Sequence, residues 1–132
     1  MHPSAKRATG VIAVAAAAAL VISAVARLLG VDVEVGFGGE IRQVGPADIL
    51  VTTVVVGLAA WVVHSLLART PRTARWWPLV GSTAIAISML GPSYLSDGAP
   101  AVALIAMHLA VGAILIRGLF EVRALALTGR RP

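Results

Sequence analysis

Cysteine is absent from this 132-residue chain, which excludes disulfides, thiolate metal sites and cysteine nucleophiles together. Charge is scarce as well. Only 13% of residues are Asp, Glu, Lys or Arg, and these gather at segment ends rather than along helix faces. Scarcest of all are carboxylates within the long apolar runs: Asp48 and Glu121 stand at run ends, and none lies inside. Small multidrug exporters also place four helices in a chain of this size, but they rely on a membrane-embedded carboxylate, and its lack argues against proton-coupled antiport. No Ser-His-acid set, phosphate loop or metal motif of useful spacing is present. No third His or carboxylate lies in the apolar runs to complete a zinc or two-metal site. The sequence therefore nominates no catalytic residue and no metal ligand.

What is there is oil. Hydrophobic residues make up 58% of the chain and the mean hydropathy is +0.90, too apolar for an ordinary soluble domain. The net charge of +5 is read as cytoplasmic loop charge facing anionic headgroups, not as a nucleic-acid surface. The stretch Gly98 to Ile116 holds no Asp, Glu, Lys or Arg. At the helical rise it covers ~28 Å, about one bilayer core. Comparable runs follow Lys6 and Arg7, follow Asp48, and follow Trp76 and Trp77.

These runs predict an all-α membrane protein: a single four-transmembrane-helix bundle with helices at about 8–29, 47–68, 76–91 and 99–120. The basic head and Ala24-Val25-Ala26 have the look of a cleavable signal peptide. Apolar sequence resumes at Leu28 and Leu29, however, so a retained first helix is preferred. Between helices one and two, the loop 31–46 alternates Val31, Val33 and Val35 with Asp32 and Glu34. With Glu40 to Val44 as the return strand and Gly36, Gly38 and Gly39 in the turn, this predicts a short extracytoplasmic β-hairpin. Helix three is expected to stop at Gly91-Pro92, and Trp76 and Trp77 to sit in an interfacial aromatic belt. Residues 121–132 form the expected cytoplasmic tail.

With four crossings, Lys6, Arg7, Arg69, Arg72, Arg75, Arg117, Arg123, Arg130 and Arg131 fall on one side, and only Arg27 and Arg42 on the other. The positive-inside rule then puts both termini in the cytoplasm of a bacterial inner membrane. Small and polar residues mark the helix faces that meet. They are Ala16, Ala19, Ser23 and Ala26 on helix one, and Thr53, Gly57, Ala60 and His64 on helix two. Helix three offers Gly81, Ala84 and Ser88, and helix four the His108 side with Ala101, Leu104, Ile105, Val111 and Gly112.

Few residues carry chemistry. His108 lies ~13 Å into the last helix, a depth at which a polar side chain faces the bundle interior and is a functional candidate by default. His64 lies ~22 Å into the second helix. As a haem pair the two are strained, since ligands of one iron belong at one depth and these differ by ~9 Å. Arg27, with Asp32, Glu34 and Asp97 in the outer loops, forms a candidate ion-pair or anion site. Arg69, Arg72 and Arg75 are candidates for contact with anionic lipid, at ~1 kcal/mol each near a charged leaflet.

The chain resembles a family of small four-helix integral membrane proteins of actinobacteria, classed as a domain of unknown function. The resemblance rests on the acidic, Gly-containing first outer loop and the basic turn leading to Trp76. Ser88-Met89-Leu90-Gly91-Pro92 at the end of helix three, Ala106-Met107-His108-Leu109 in helix four and the following Ala113-Ile114-Leu115-Ile116 complete it. It implies the four-helix fold and the bacterial inner membrane, and no activity. The leading functional expectation is a non-enzymatic accessory or scaffold of the cell envelope, with a membrane-protein partner or a second copy. The alternative is a protein that binds a small molecule or cofactor (haem, quinone or lipid) through His108, with His64 as a second contact and redox chemistry as an extension.

Overall fold

The structure is a computed structural model that describes residues 3–37, 40–95 and 98–128. Gly38, Gly39, Asp97, Arg130 and Arg131 of the expectations above lie outside the described residues. The chain runs α1 (Pro3–Leu28), β1 (Glu34–Phe37), β2 (Glu40–Gln43), α2 (Pro46–Leu67), α3 (Pro71–Ala74), α4 (Trp77–Ser88), α5 (Leu90–Leu95) and α6 (Gly98–Thr128).

Among the described residues three helices are long and apolar enough to cross a membrane: Ala5–Leu28, Pro46–Leu67 and Gly98–Glu121. Their outward faces carry Val14, Val21, Val25, Val51, Val55, Leu58, Val62, Val102 and Leu109, all exposed. In water such a surface is untenable, whereas lipid solvates it. This is a multi-pass membrane protein.

The expected third span differs. The sequence places it at about 76–91, but α4 covers only 12 residues, or ~18 Å, too short to cross a core of ~30 Å by itself. The cause is local. Pro92 has no amide N–H to offer the Ser88 carbonyl four residues back. The ladder therefore stops at Ser88, turns through Met89 and restarts as α5, whose first turn accommodates Pro92. The sequence 121–127, with no Gly or Pro, has nothing to stop a helix. α6 accordingly continues through the expected tail to Thr128.

Helix α1 ends on Gly30, whose φ of +75° is open to glycine and strained for other residues. Gly30 N–H donates to the Arg27 carbonyl at 2.9 Å, and Val31 N–H to the Ala26 carbonyl at 2.9 Å. These two bonds satisfy carbonyls that the helix end would otherwise orphan. The hairpin follows. It pairs antiparallel with Glu34 opposite Gln43 and Phe37 opposite Glu40, so β1 begins three residues later than the Val31 alternation suggests. Val44 N–H continues the pairing onto the Val33 carbonyl at 2.8 Å. Val33 itself is buried in the main core cluster with Ala26, Ile49 and Leu104. A lone hairpin is marginal in water, and this root is what holds it.

Helix packing is antiparallel and follows the small residues. α1 makes its most extensive contact with α6 and its next with α2, while α4 lies along α6. A Cβ at Gly57 would meet Ile12, at Gly118 Val11, at Gly81 Ile116 and at Gly112 Ile85, each below 3.0 Å. Without Cβ atoms at these four points the backbones approach closely, the usual basis of helix association in lipid. α4 therefore carries the chain back along α6, from the end where α2 finishes to the end where α6 begins. α5 there touches the hairpin. One end of the molecule thus holds the hairpin, Arg27, Glu34, Arg42 and Asp48. The other holds Lys6, Arg7, Arg69, Arg72, Arg75 and Arg117, and is called the basic end below.

Candidate functional site

α2 and α4 both lean on the α1–α6 pair but scarcely touch each other. The gap between them is a cleft of about 440 Å³. Its walls are Val56, Ala59 and Val63 of α2 and Val80, Ala84 and Ile85 of α4. Its floor is α6 from Leu104 to Ile116, with Ala19 of α1. That floor is ~18 Å long, more than the depth of one lipid leaflet's hydrocarbon. Trp77 closes the cleft toward the basic end, and Val44, Asp48 and Thr52 line it toward the hairpin.

The polar side chains of the lining, Asp48, Thr52, Thr53, Ser88 and His108, lie from the hairpin end to the middle, and toward the basic end the lining is apolar. The four close glycine contacts set the helix register. Pairing 12 with 57, 11 with 118 and 85 with 112 puts His108 level with Asp48 and with the Ser88–Met89 joint. Three elements thus bring one polar ring to one height.

His108 has a defined hydrogen-bonding state. Its Nδ1 lies 2.8 Å from the Leu104 carbonyl. A carbonyl only accepts, so Nδ1 carries the proton, and Nε2 of the neutral ring is an acceptor. Ser88 Oγ donates to the Ile85 carbonyl at 2.8 Å, which leaves the hydroxyl oxygen free to accept. Asp48 is engaged in the fold: Oδ2 accepts the Gly45 N–H at 3.0 Å and Oδ1 accepts Arg42 Nη2 at 3.1 Å. The first of these caps α2, whose opening residues are Pro46 and Ala47.

His64 is elsewhere. It is buried on α2, with its ring edge-on to Trp77 at a centroid distance of 4.9 Å. By the helix register it stands roughly 24 Å from His108 along the bundle. The structure does not bring the two histidines together, and the separation exceeds the ~9 Å counted from helix ends. Those counts assume that α2 and α6 start level, but α6 begins about two turns beyond α2 at the hairpin end. Trp77, expected in an interfacial belt, is 3% exposed and donates its indole N–H to the Ile116 carbonyl at 3.0 Å. Trp76 is the exposed member of the pair, with the Arg75 guanidinium 5.6 Å from its ring centroid.

Arg27 Nη2 donates to the Val44 carbonyl at 3.0 Å, tying the end of α1 to the root of the hairpin. Glu34 accepts from Gln43 Nε2 at 3.5 Å across the strands. The salt bridge of this end, among the described residues, is Arg42–Asp48. Arg69, Arg72 and Arg75 are all exposed around α3, where Thr70 caps the helix by accepting the Thr73 N–H. Among the described residues no three His, Asp or Glu side chains converge in a way that could hold a metal ion.

Residues 2–124 match the model of the family described as "Family of unknown function (DUF6069)". The chain belongs to that family. No match was found among curated proteins or among solved structures. DUF6069 membership covers α1 through most of α6 and so takes in the hairpin, the cleft and His108. It assigns none of them an activity.

Proposed function

We propose that this DUF6069 protein is a non-enzymatic binding protein for a membrane-dissolved amphiphile, a molecule with a long apolar chain and a small hydrogen-bonding head. One observation carries the reading: a largely apolar cleft longer than a leaflet's hydrocarbon, with its polar side chains on the hairpin side, His108 among them, and none of them toward the basic end. The chain of such a ligand lies along α6 between α2 and α4. Its head meets an acceptor at His108 Nε2 and another at Ser88 Oγ, so the matching group is an O–H, as in a quinol or a prenol. Four crossings are proposed, α4 and α5 together making the third, with both termini in the cytoplasm of a bacterial inner membrane. The charge separation between the two ends supports that orientation, and Arg69, Arg72 and Arg75 then face anionic headgroups.

The test is organic extraction of the detergent-purified protein followed by mass spectrometry, beside His108→Leu and Ala84→Phe. A stoichiometric apolar compound lost in both variants is the expected result. Protein that carries no such compound, and whose melting temperature does not move when a quinol or prenol is added, would overturn the proposal.

A second reading, an accessory or scaffold, is favoured by the apolar surface beside the hairpin, where Ile41, Leu28 and Leu29 are all exposed. Cross-linking from Ile41 in intact membranes tests it. A specific protein adduct would support that role, and lipid adducts alone would argue against it.

A further inference from the structure

A second hollow lies along the α1–α6 seam and shares no lining residue with the cleft. Its volume is about 610 Å³. Val11, Val14 and Ile114 make its apolar walls, and Gly10 and Ala113 keep it open. Nothing lies within 4 Å of where a Gly10 Cβ would stand. Toward the basic end the hollow is rimmed by Arg7, Arg117 and Glu121. All three are exposed, and none takes part in a salt bridge among the described residues.

The helix register sets Arg7 level with Glu121 and Arg117 ~7 Å further into the bilayer. A guanidinium on its long stem reaches toward the headgroup layer from that depth. Two guanidiniums that form no salt bridge among the described residues therefore rim one end of an apolar trough. Charge complementarity names an anion, the trough names an acyl chain, and Glu121 offers an acceptor to a hydrogen-bond donor beyond the phosphate. We infer that this seam holds one anionic glycerophospholipid with a hydroxylated headgroup. Its phosphate lies between Arg7 and Arg117, its hydroxyl on Glu121, and one acyl chain in the trough over Gly10 and Ala113.

Native mass spectrometry of the full chain in detergent, titrated with phosphatidylglycerol or with phosphatidylcholine of matched chains, tests this. One tightly held phosphatidylglycerol and no comparable phosphatidylcholine is expected. Arg7→Ala and Arg117→Ala should each weaken it about fivefold. Gly10→Leu fills the trough without altering charge and should displace the lipid while the melting temperature holds. The pair Arg69→Ala and Arg72→Ala should leave it in place. Equal binding of the two lipids, arginine variants with unchanged affinity, a Gly10→Leu protein that binds as tightly as the parent, or a lipid-free two-copy species would each overturn the inference. A lipid lost in His108→Leu but kept in Gly10→Leu belongs to the cleft, so the two proposals fail separately.

Discussion

Trp77 and Ile116 lie 39 residues apart in sequence and are joined by a hydrogen bond from the indole N–H to the main-chain carbonyl, 3.0 Å long. The bond ties the first turn of α4 to α6, and the same indole backs onto the His64 ring. One side chain thus fastens α2, α4 and α6 where the cleft ends. Trp77→Phe keeps the ring contact and loses the donor. Interhelical bonds in membranes average ~0.6 kcal/mol, so a loss of that order is expected. Trp77→Ala should cost ~3–5 kcal/mol through the void it leaves. Thermal unfolding in detergent, compared for the two variants, separates bond from bulk.

The α4–α6 contact rests on two glycines placed in opposite senses. Gly81 receives Ile116 and Gly112 receives Ile85. A methyl at Gly112 would press on the Cγ1 and Cδ1 of a β-branched side chain with few alternative rotamers. Gly112→Ala is expected to destabilise by ~1–3 kcal/mol, and adding Ile85→Val, which removes the Cδ1, should recover part of it. A double-mutant cycle that shows simple additivity would mean that the contact is not formed.

Gly30 offers a test confined to the backbone. Its left-handed φ costs other L-residues ~1–2 kcal/mol, and no heavy atom lies within 4 Å of where its Cβ would be. Gly30→Val should therefore destabilise through conformation alone, and Gly30→Asn distinctly less. Equal losses would place the cause in packing.

Arg42 and Asp48 form a bridge with side chains 75% and 44% exposed. Arg42→Ala should change stability by no more than ~1 kcal/mol, and less in high salt. Asp48→Ala also removes the acceptor of the Gly45 N–H, adding ~0.5–2 kcal/mol for the cap. The expected order is Asp48→Ala well below Arg42→Ala in melting temperature, with only the difference due to Arg42 fading in salt.

Much of the helix packing was legible from residue size. Ala16, Ala19, Ser23 and Ala26 are all buried on α1, as are Thr53, Gly57 and His64 on α2. In lipid only small or polar residues distinguish one apolar face from another, and composition displays them directly. Trp77 escaped because a tryptophan beside arginines reads equally as an interfacial anchor. Its burial follows from which of two neighbours points inward, a matter of helical phase at a boundary. The short α4 escaped because hydropathy continues unbroken through Met89 and Leu90, whereas the ladder answers to the missing N–H of Pro92. The polar ring at the cleft escaped for a third reason. Asp48 and His108 share a height only through the inter-helix register, and no count along one helix contains it.

The twelve residues of α4 have a consequence for the membrane itself. A helix shorter than the hydrocarbon around it forces the bilayer to thin locally or admits water and headgroups at its end. α4 by itself would do so at the height of His108, and α5, taking the chain on to Leu95, is what carries the proposed third crossing past that point. A histidine near the middle of a long apolar helix thereby stands level with the joint between two short ones.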